Sequence, residues 1–271
     1  IIFDWDNYWA LEYTSGPTED LAYVNQIHQY YKYFYDRNIG VNMIPVDADF
    51  SKYKVLVAPV LYMVKEGMKE ALTAFVKNGG VLITTFMSGL VNESDNVHLG
   101  GYPGPLRELA GIWVEEIDAL APEQTNTLTF TDGTKITCNL LCDLMHLEGA
   151  ECLAAYEENF YAGMPAVTRN RFGSGSTYYI GTNMGQDGIA KILDMVTQEA
   201  GVQSVISEAT ELEVTCRKAK GCSYCFIFNF KDKDIPVPAY FDGCTDLLTG
   251  KTVHAGRMMK QYDSLLVSIP E

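Results

Sequence analysis

Positive charge is the scarcest resource of this 271-residue chain: 20 Lys and Arg stand against 35 Asp and Glu, a formal net charge of −15. Nucleic acids and anionic membranes need a basic face, so neither is an expected partner. Long apolar runs are missing too. None approaches the roughly 18 residues of a membrane span, and the mean hydropathy of −0.04 is ordinary for a globular protein. Cysteine is absent before Cys138. The seven that follow (Cys138, Cys142, Cys152, Cys216, Cys222, Cys225, Cys244) are odd in number, and many lie in apolar, strand-like runs. Free buried thiols in a reducing compartment are therefore expected, which makes the expected location cytoplasmic. Cys222 and Cys225 have C-x-x-C spacing, but strand residues three apart face opposite sides. The four histidines (His28, His98, His146, His254) are too scattered to complete a metal site there. No P-loop, dinucleotide fingerprint or metal-ligand cluster occurs, so no cofactor and no metal is expected.

Core-forming residues are plentiful: 47% of the chain is apolar and 12% aromatic. That suffices for one large or two modest domains. The first residue is not Met, and Ile1-Ile2-Phe3 reads as the inside of a strand, so the chain is expected to begin within a longer protein. Residues 1–5 read as a strand followed by a polar, aromatic loop. Thr18 is a suitable N-cap for a helix with Glu19 and Asp20 in its first turn. Leu21, Val24, Ile27 or His28, Tyr31 and Phe34 give that helix its apolar spacing, with His28 as a structural histidine. Strands are expected at 41–45, 54–59 and 81–85. The helix between the last two spans 65–78 and buries Met68, Leu72, Phe75 and Val76, with Gly79-Gly80 as its left-handed stop. Such alternation argues a parallel sheet flanked by helices. A hairpin at 125–139, strands at 151–156, 165–171 and 176–181, and a helix over 186–200 complete this domain. From residue 207 the period becomes two, with Leu212, Val214 and Cys216 on one face, which predicts a small antiparallel sandwich. The domains are accordingly 1–204 and 205–271.

The organising stretch is 91–116, with four glycines and two prolines between strand-like flanks. A polar head (Asn92, Glu93, Ser94, Asp95, Asn96) precedes Gly100-Gly101, and Gly104-Pro105 opens a short helix. A loop of this length in an α/β domain is more often functional than filler. The run TTFMSGLVNESDNVHLGGYPGPLRELAGIWVEE (84–116) resembles the second domain of glycoside hydrolase family 42 β-galactosidases. FDWDNYWA (3–10) and FYAGMPAVTRNRFGSGSTYYIGT (160–182) resemble that family as well, and the tail is similar to its small C-terminal β domain. The family's N-terminal barrel, which carries both catalytic glutamates, has no counterpart here. The resemblance implies the non-catalytic oligomerisation and accessory portion of a β-galactosidase. It implies a homotrimer formed through the first domain, and a galactoside substrate bound through the missing barrel. Two segments are expected at the substrate rim or subunit interface: Trp5, Asn7 and Trp9 in the first, Asn92, Glu93, Asp95 and Tyr102 in the second. Rings cover apolar sugar faces, and amides and carboxylates bond hydroxyls.

The strand and helix order also resembles flavodoxin-like and class I glutamine amidotransferase-like domains. That alternative, an independent amidotransferase-like or carbohydrate-processing α/β enzyme, needs a nucleophile on a tight strand-to-helix elbow. The expected elbows read Ala58-Pro59-Val60 and Thr85-Phe86-Met87-Ser88-Gly89. Neither carries Cys, and Ser88 has Phe86 where a serine elbow needs Gly. A retaining glycosidase needs two carboxyl groups roughly 5–5.5 Å apart. Glu115-Glu116 and Glu157-Glu158 are neighbours expected to face opposite sides of strands, and Asp4 and Asp6 are expected to cap or to be solvated.

Overall fold

The computed structural model describes residues 1–14, 16–206, 208 and 210–270. They fall into two compact units, Ile1–Tyr30 with Met43–Gly201, and Tyr31–Asn42 with Val202–Glu271. In the first unit the continuous apolar runs become central strands. Val55–Ala58 (β1) is buried at three of four positions and Val81–Thr85 (β2) at all five, as strands covered on both faces must be. Seven more strands extend them: β3 (Ile112–Ala119), β4 (Asn126–Phe130), β5 (Lys135–Leu147), β6 (Glu151–Tyr156), β7 (Pro165–Phe172), β8 (Gly175–Ile180) and β9 (Thr182–Met184). The order is β1-β2-β8-β7-β6-β4-β5-β3, with β9 beside β5. Only β1–β2 and β2–β8 pair in parallel. The α/β class holds, with a short parallel core continued by a broad antiparallel region.

Helix α1 (Trp5–Tyr13) replaces the expected aromatic loop. Asp4 caps it, its Oδ2 accepting the Asn7 backbone N–H at 3.3 Å and the Asn7 side-chain amide at 2.6 Å. The segment has neither glycine nor proline to stop a helix, yet Asn7 is its only buried residue, so no apolar period announces it. Helix α2 (Tyr23–Asp36) begins five residues after Thr18, which only accepts the Asp20 N–H in a local turn. Its buried stripe is Tyr23, Ile27, Tyr30, Tyr33 and Phe34, while Val24, His28 and Tyr31 are exposed. Ile27 and Phe34 pack as expected, while Tyr23, Tyr30 and Tyr33 carry the rest of the packing in place of Val24, Tyr31 and His28. Residues 1–5 and 41–45 form no strands; Ile2 and Ile44 make a single parallel bridge.

Helix α3 (Met68–Lys77) buries the four residues its spacing predicts, and the chain leaves it through Gly79 at φ +104°. α4 (Arg107–Ala110) is a single turn, and α5 (Gln186–Glu199) buries Ile189, Ile192, Leu193 and Val196 as expected. Strand β5 runs eight residues past its expected end. Leu140 (φ +72°) sits where its register with β9 shifts, and such a bulge bends a strand and lets it pair on.

The second unit contains a three-stranded antiparallel sheet. Its strands are β10 (Glu213–Ala219), β11 (Cys222–Phe228) and β14 (Ser264–Pro270), with a short ribbon of β12 (Ile235–Pro236) and β13 (Met258–Met259). Val214, Cys225, Ile227, Leu265 and Val267 form the buried side, together with Phe241 and Val253. Phe226 and Phe228 occupy the half-exposed side. Residue 207 lies outside the described residues. The expectation of uniformly free thiols fails here. Cys216 and Cys225 are direct cross-strand partners with Cα atoms 4.2 Å apart, and they form a disulfide. Register, invisible in the sequence, brings the two sulfurs together. Cys138, Cys142, Cys152, Cys222 and Cys244 are free.

Candidate functional site

The cap of α1 belongs to a larger anchor. Asn7 is fully buried, and its Oδ1 accepts the Met63 backbone N–H at 2.7 Å. Lys65 Nζ bridges Asp4 at 2.8 Å and Asp6 at 2.6 Å. Burial alone would lower the Lys65 ammonium, but hydrogen bonds to the two carboxylates outweigh it and raise the pKa above the usual lysine value. The Asp4 and Asp6 carboxylates are thus both held by one cation, an anchor rather than an acid and nucleophile. On this base, spacing of four places Trp5, Trp9 and Tyr13 on one helical face. They are 59%, 52% and 84% exposed. The Trp5 and Trp9 rings lie 6.0 Å apart, and Trp5 meets Phe3 edge-on at 5.0 Å. The stripe is exposed but not loose.

The 91–104 segment is tied down at several points. Val91 bridges both Met63 and Val97. The Asn92 side chain accepts the backbone N–H groups of Ser94 and Asn96 at 3.0 and 3.1 Å. Asp95, at φ +58°, accepts the Tyr62 hydroxyl at 3.0 Å. Glu93 is exposed. Beyond them Val97 and Leu99 project, 72% and 97% exposed. Arg107 donates to the Gly100 carbonyl at 3.0 Å and pairs with Glu148. Gly101 lies so close to Trp113 that a Cβ would fall 2.2 Å from its indole nitrogen, and Trp113 stacks on His146 at 4.9 Å. Tyr102 bridges Val114 through its backbone and turns its hydroxyl inward, where that oxygen is buried without a partner among the described residues. Burial, reinforced by the Asp143 and Glu116 carboxylates, pushes its phenol far above the usual range.

The fold therefore sorts the expected rim residues into two groups. Trp5, Trp9, Glu93 and Asp95 reach the surface, with Asn92 shaping the turn. Asn7 and the Tyr102 hydroxyl face inward. Tyr13, Val97 and Leu99, which were not expected there, are exposed as well. For Leu99, the Gly100-Gly101 pair beside it was the available signal.

Other chemistry is occupied by structure. At the end of β2, Ser88 Oγ accepts the Leu61 N–H at 3.0 Å and bonds Thr84 Oγ1 at 2.7 Å, and Met87 holds the left-handed position at φ +60°. Glu115 and Glu116 are both exposed at a bulge in β3, and Glu115 bonds His146 at 2.7 Å. Glu157 and Glu158 follow β6 and bond the hydroxyls of Thr129 and Thr127. Among the described residues no helix is long and apolar enough to cross a membrane.

The family model of the β-galactosidase trimerisation domain (glycoside hydrolase family 42) matches residues 1–203, and that of the β-galactosidase C-terminal domain matches 211–268. The chain is 46% identical to beta-galactosidase LacA of Lactobacillus acidophilus, over 97% of this chain and 39% of LacA. It is 43% identical to beta-galactosidase BgaA of Planococcus sp., over 99% of this chain and 40% of BgaA. The crystal structure of a β-galactosidase from Bacillus circulans sp. alkalophilus superposes with a TM-score of 0.94 at 42% identity, over 98% of this chain and 40% of that one. Gan42B, a β-galactosidase of family 42 from G. stearothermophilus, gives 0.93 at 33% identity, over 100% and 40%. The chain thus spans about two fifths of the length of the relatives it matches.

Proposed function

The chain belongs to the glycoside hydrolase family 42 β-galactosidases, through their trimerisation and C-terminal domains, and on that premise we propose that it is the oligomerisation and accessory portion of such an enzyme. The parent removes terminal β-D-galactosyl residues with retention, in the cytoplasm, and its acid and nucleophile lie outside these two domains. The division falls at 204/205. The assembly is a homotrimer, formed mainly through the larger domain.

The observation that carries this reading is the exposed Trp5–Trp9–Tyr13 stripe on a helix locked by Asp4, Asn7 and Lys65. Large aromatic surface on a rigid support suits association, because little side-chain freedom is lost when it is covered. Trp5, Trp9, Asn92, Glu93 and Asp95 border a neighbouring subunit's substrate entrance. Asn7 and Tyr102 support that border from inside. Val97 and Leu99 add apolar contact area.

Two assays test this. The isolated chain should release no nitrophenol from an aryl β-galactoside; turnover abolished by changing one of its own carboxylates would overturn the assignment. In the full-length enzyme, Trp9→Ala or Asp95→Ala should lower kcat/KM while the barrel remains folded. Sedimentation run alongside separates loss of the trimer from loss of the rim. Wild-type kinetics in an intact trimer for both variants would reduce these segments to scaffold.

A further inference from the structure

The parallel strands β1 and β2 end in the same way. Val60 follows β1 at φ +48° and Met87 follows β2 at φ +60°. Bulky and β-branched residues avoid this left-handed region, so both must be held in place. Thr85 Oγ1 accepts the Val60 N–H at 2.8 Å, and the Ser88 hydroxyl ties Leu61 to Thr84. Both strained residues are buried. Strain of this kind gathers at functional sites, and α/β sheets take their ligands at the carboxyl ends of parallel strands.

Beside Met87 lies a cavity of about 160 Å³, walled by Leu11, Pro17, Leu21, Tyr62, Met87 and Leu90. Among the described residues no lining side chain is charged. Of the described hydroxyls at its edge, Tyr62 donates to Asp95 and Thr14 to the Ala10 carbonyl, and Thr18 accepts from Asp20. On its Leu11, Leu21, Met87 and Leu90 walls a charged or many-hydroxyl ligand would find no partner for its polar groups. The volume is close to the roughly 150 Å³ of an enclosed apolar cavity that admits benzene, although here the exposed Thr14, Gly16 and Pro17 leave one side open to solvent.

We propose that this cavity binds one compact, uncharged aromatic ring of about six or seven non-hydrogen atoms, seated against the Met87 thioether. A polarisable sulfur at a ring edge adds to the apolar fit. The position is that of a nucleophile elbow in which methionine stands at the left-handed residue, so the site holds a ligand and carries out no reaction.

Phenol is the probe, with the purified chain carrying ¹³C-methyl methionine and the Met87 signal assigned by its loss in Met87→Leu. The Met87 methyl should shift saturably with phenol, while that of half-exposed Met258 stays in place, and D-galactose should shift neither. Leu11→Trp, which fills the cavity from α1, should abolish the saturable shift; where that variant loses the folded spectrum, Thr18→Phe decides the matter. An unmoved Met87 methyl, a linear drift shared with Met258, undiminished binding in a folded cavity-filled variant, or a saturable response to galactose would each overturn the proposal.

Discussion

The two units bury their sheets by different means. In the larger, β2 is covered on both faces and packs among helices and neighbouring strands. In the smaller, β10, β11 and β14 bury one side only and are cross-linked by Cys216–Cys225. A small unit hides a lower fraction of its chain surface and gains more from a covalent staple. Two buried aspartates make the same contrast electrostatically. Asp143 in the larger unit accepts the Tyr179 hydroxyl at 2.7 Å through one oxygen, and its other oxygen has no partner among the described residues. Desolvation pushes its pKa well above the usual value. Asp246 in the smaller unit is desolvated too, but the Thr249 hydroxyl and the backbone N–H groups of Leu248 and Leu266 overcome this and lower its pKa. What decides a buried carboxyl is the number of donors around it, not burial alone.

Cavity-forming substitutions should separate the two units most clearly. Leu82→Ala and Ile227→Ala should each cost about 2–5 kcal/mol. Hydrogen exchange should accelerate in β1, β2 and β8 for the first, and in β10, β11 and β14 for the second. Exchange that rose uniformly through the chain for either substitution would dissolve the distinction.

The staple comes next. Replacing both Cys216 and Cys225 by Ala, across a separation of nine residues, should cost about 2–3 kcal/mol on the loop-closure estimate. The loss should be read in the amide protection of β10, β11 and β14; unchanged protection would remove the disulfide from the account of that unit. In the larger unit the comparable fixture is polar. Asn7→Ala leaves the Met63 N–H buried and unpaired and should cost about 1–3 kcal/mol. A thermal midpoint equal to that of the wild type would contradict the anchor.

The smallest effects are those of pH, and the two aspartates should respond in opposite senses. Folding raises the Asp143 pKa, so its contribution is complete below the unfolded value of about 4 and is lost as pH rises through the folded value. Asp143→Asn should therefore gain on the wild type as pH rises from about 4. Folding lowers the Asp246 pKa, so its contribution is present above about 4 and is lost as pH falls through the folded value. The deficit of Asp246→Asn should shrink on acidification. Parallel stability curves for either variant and the wild type would refute that assignment.

Much of this architecture was legible in the sequence where apolar residues keep a period or run unbroken, as in β1, β2, α3 and α5. α1 was hidden because it buries only Asn7. In α2 the sequence marked Ile27 and Phe34 but missed Tyr23, Tyr30 and Tyr33, because tyrosines share its packing. The bulge at Leu140 concealed the length of β5, and the disulfide required a strand register. For the candidate site, glycine and proline marked the 91–104 loop and aromatics marked 5–9. Side-chain direction was not marked. Asn7 and Tyr102 look like surface residues in a list of letters, and only the Met63 N–H and the inner face beside β3 draw them inward.

If this chain carries the contacts that bring subunits together, it should assemble on its own, and sedimentation equilibrium of the purified chain reads this out. A single species of three times the 30.2 kDa chain mass is expected, and a mass of one chain at every concentration would refute assembly through these domains.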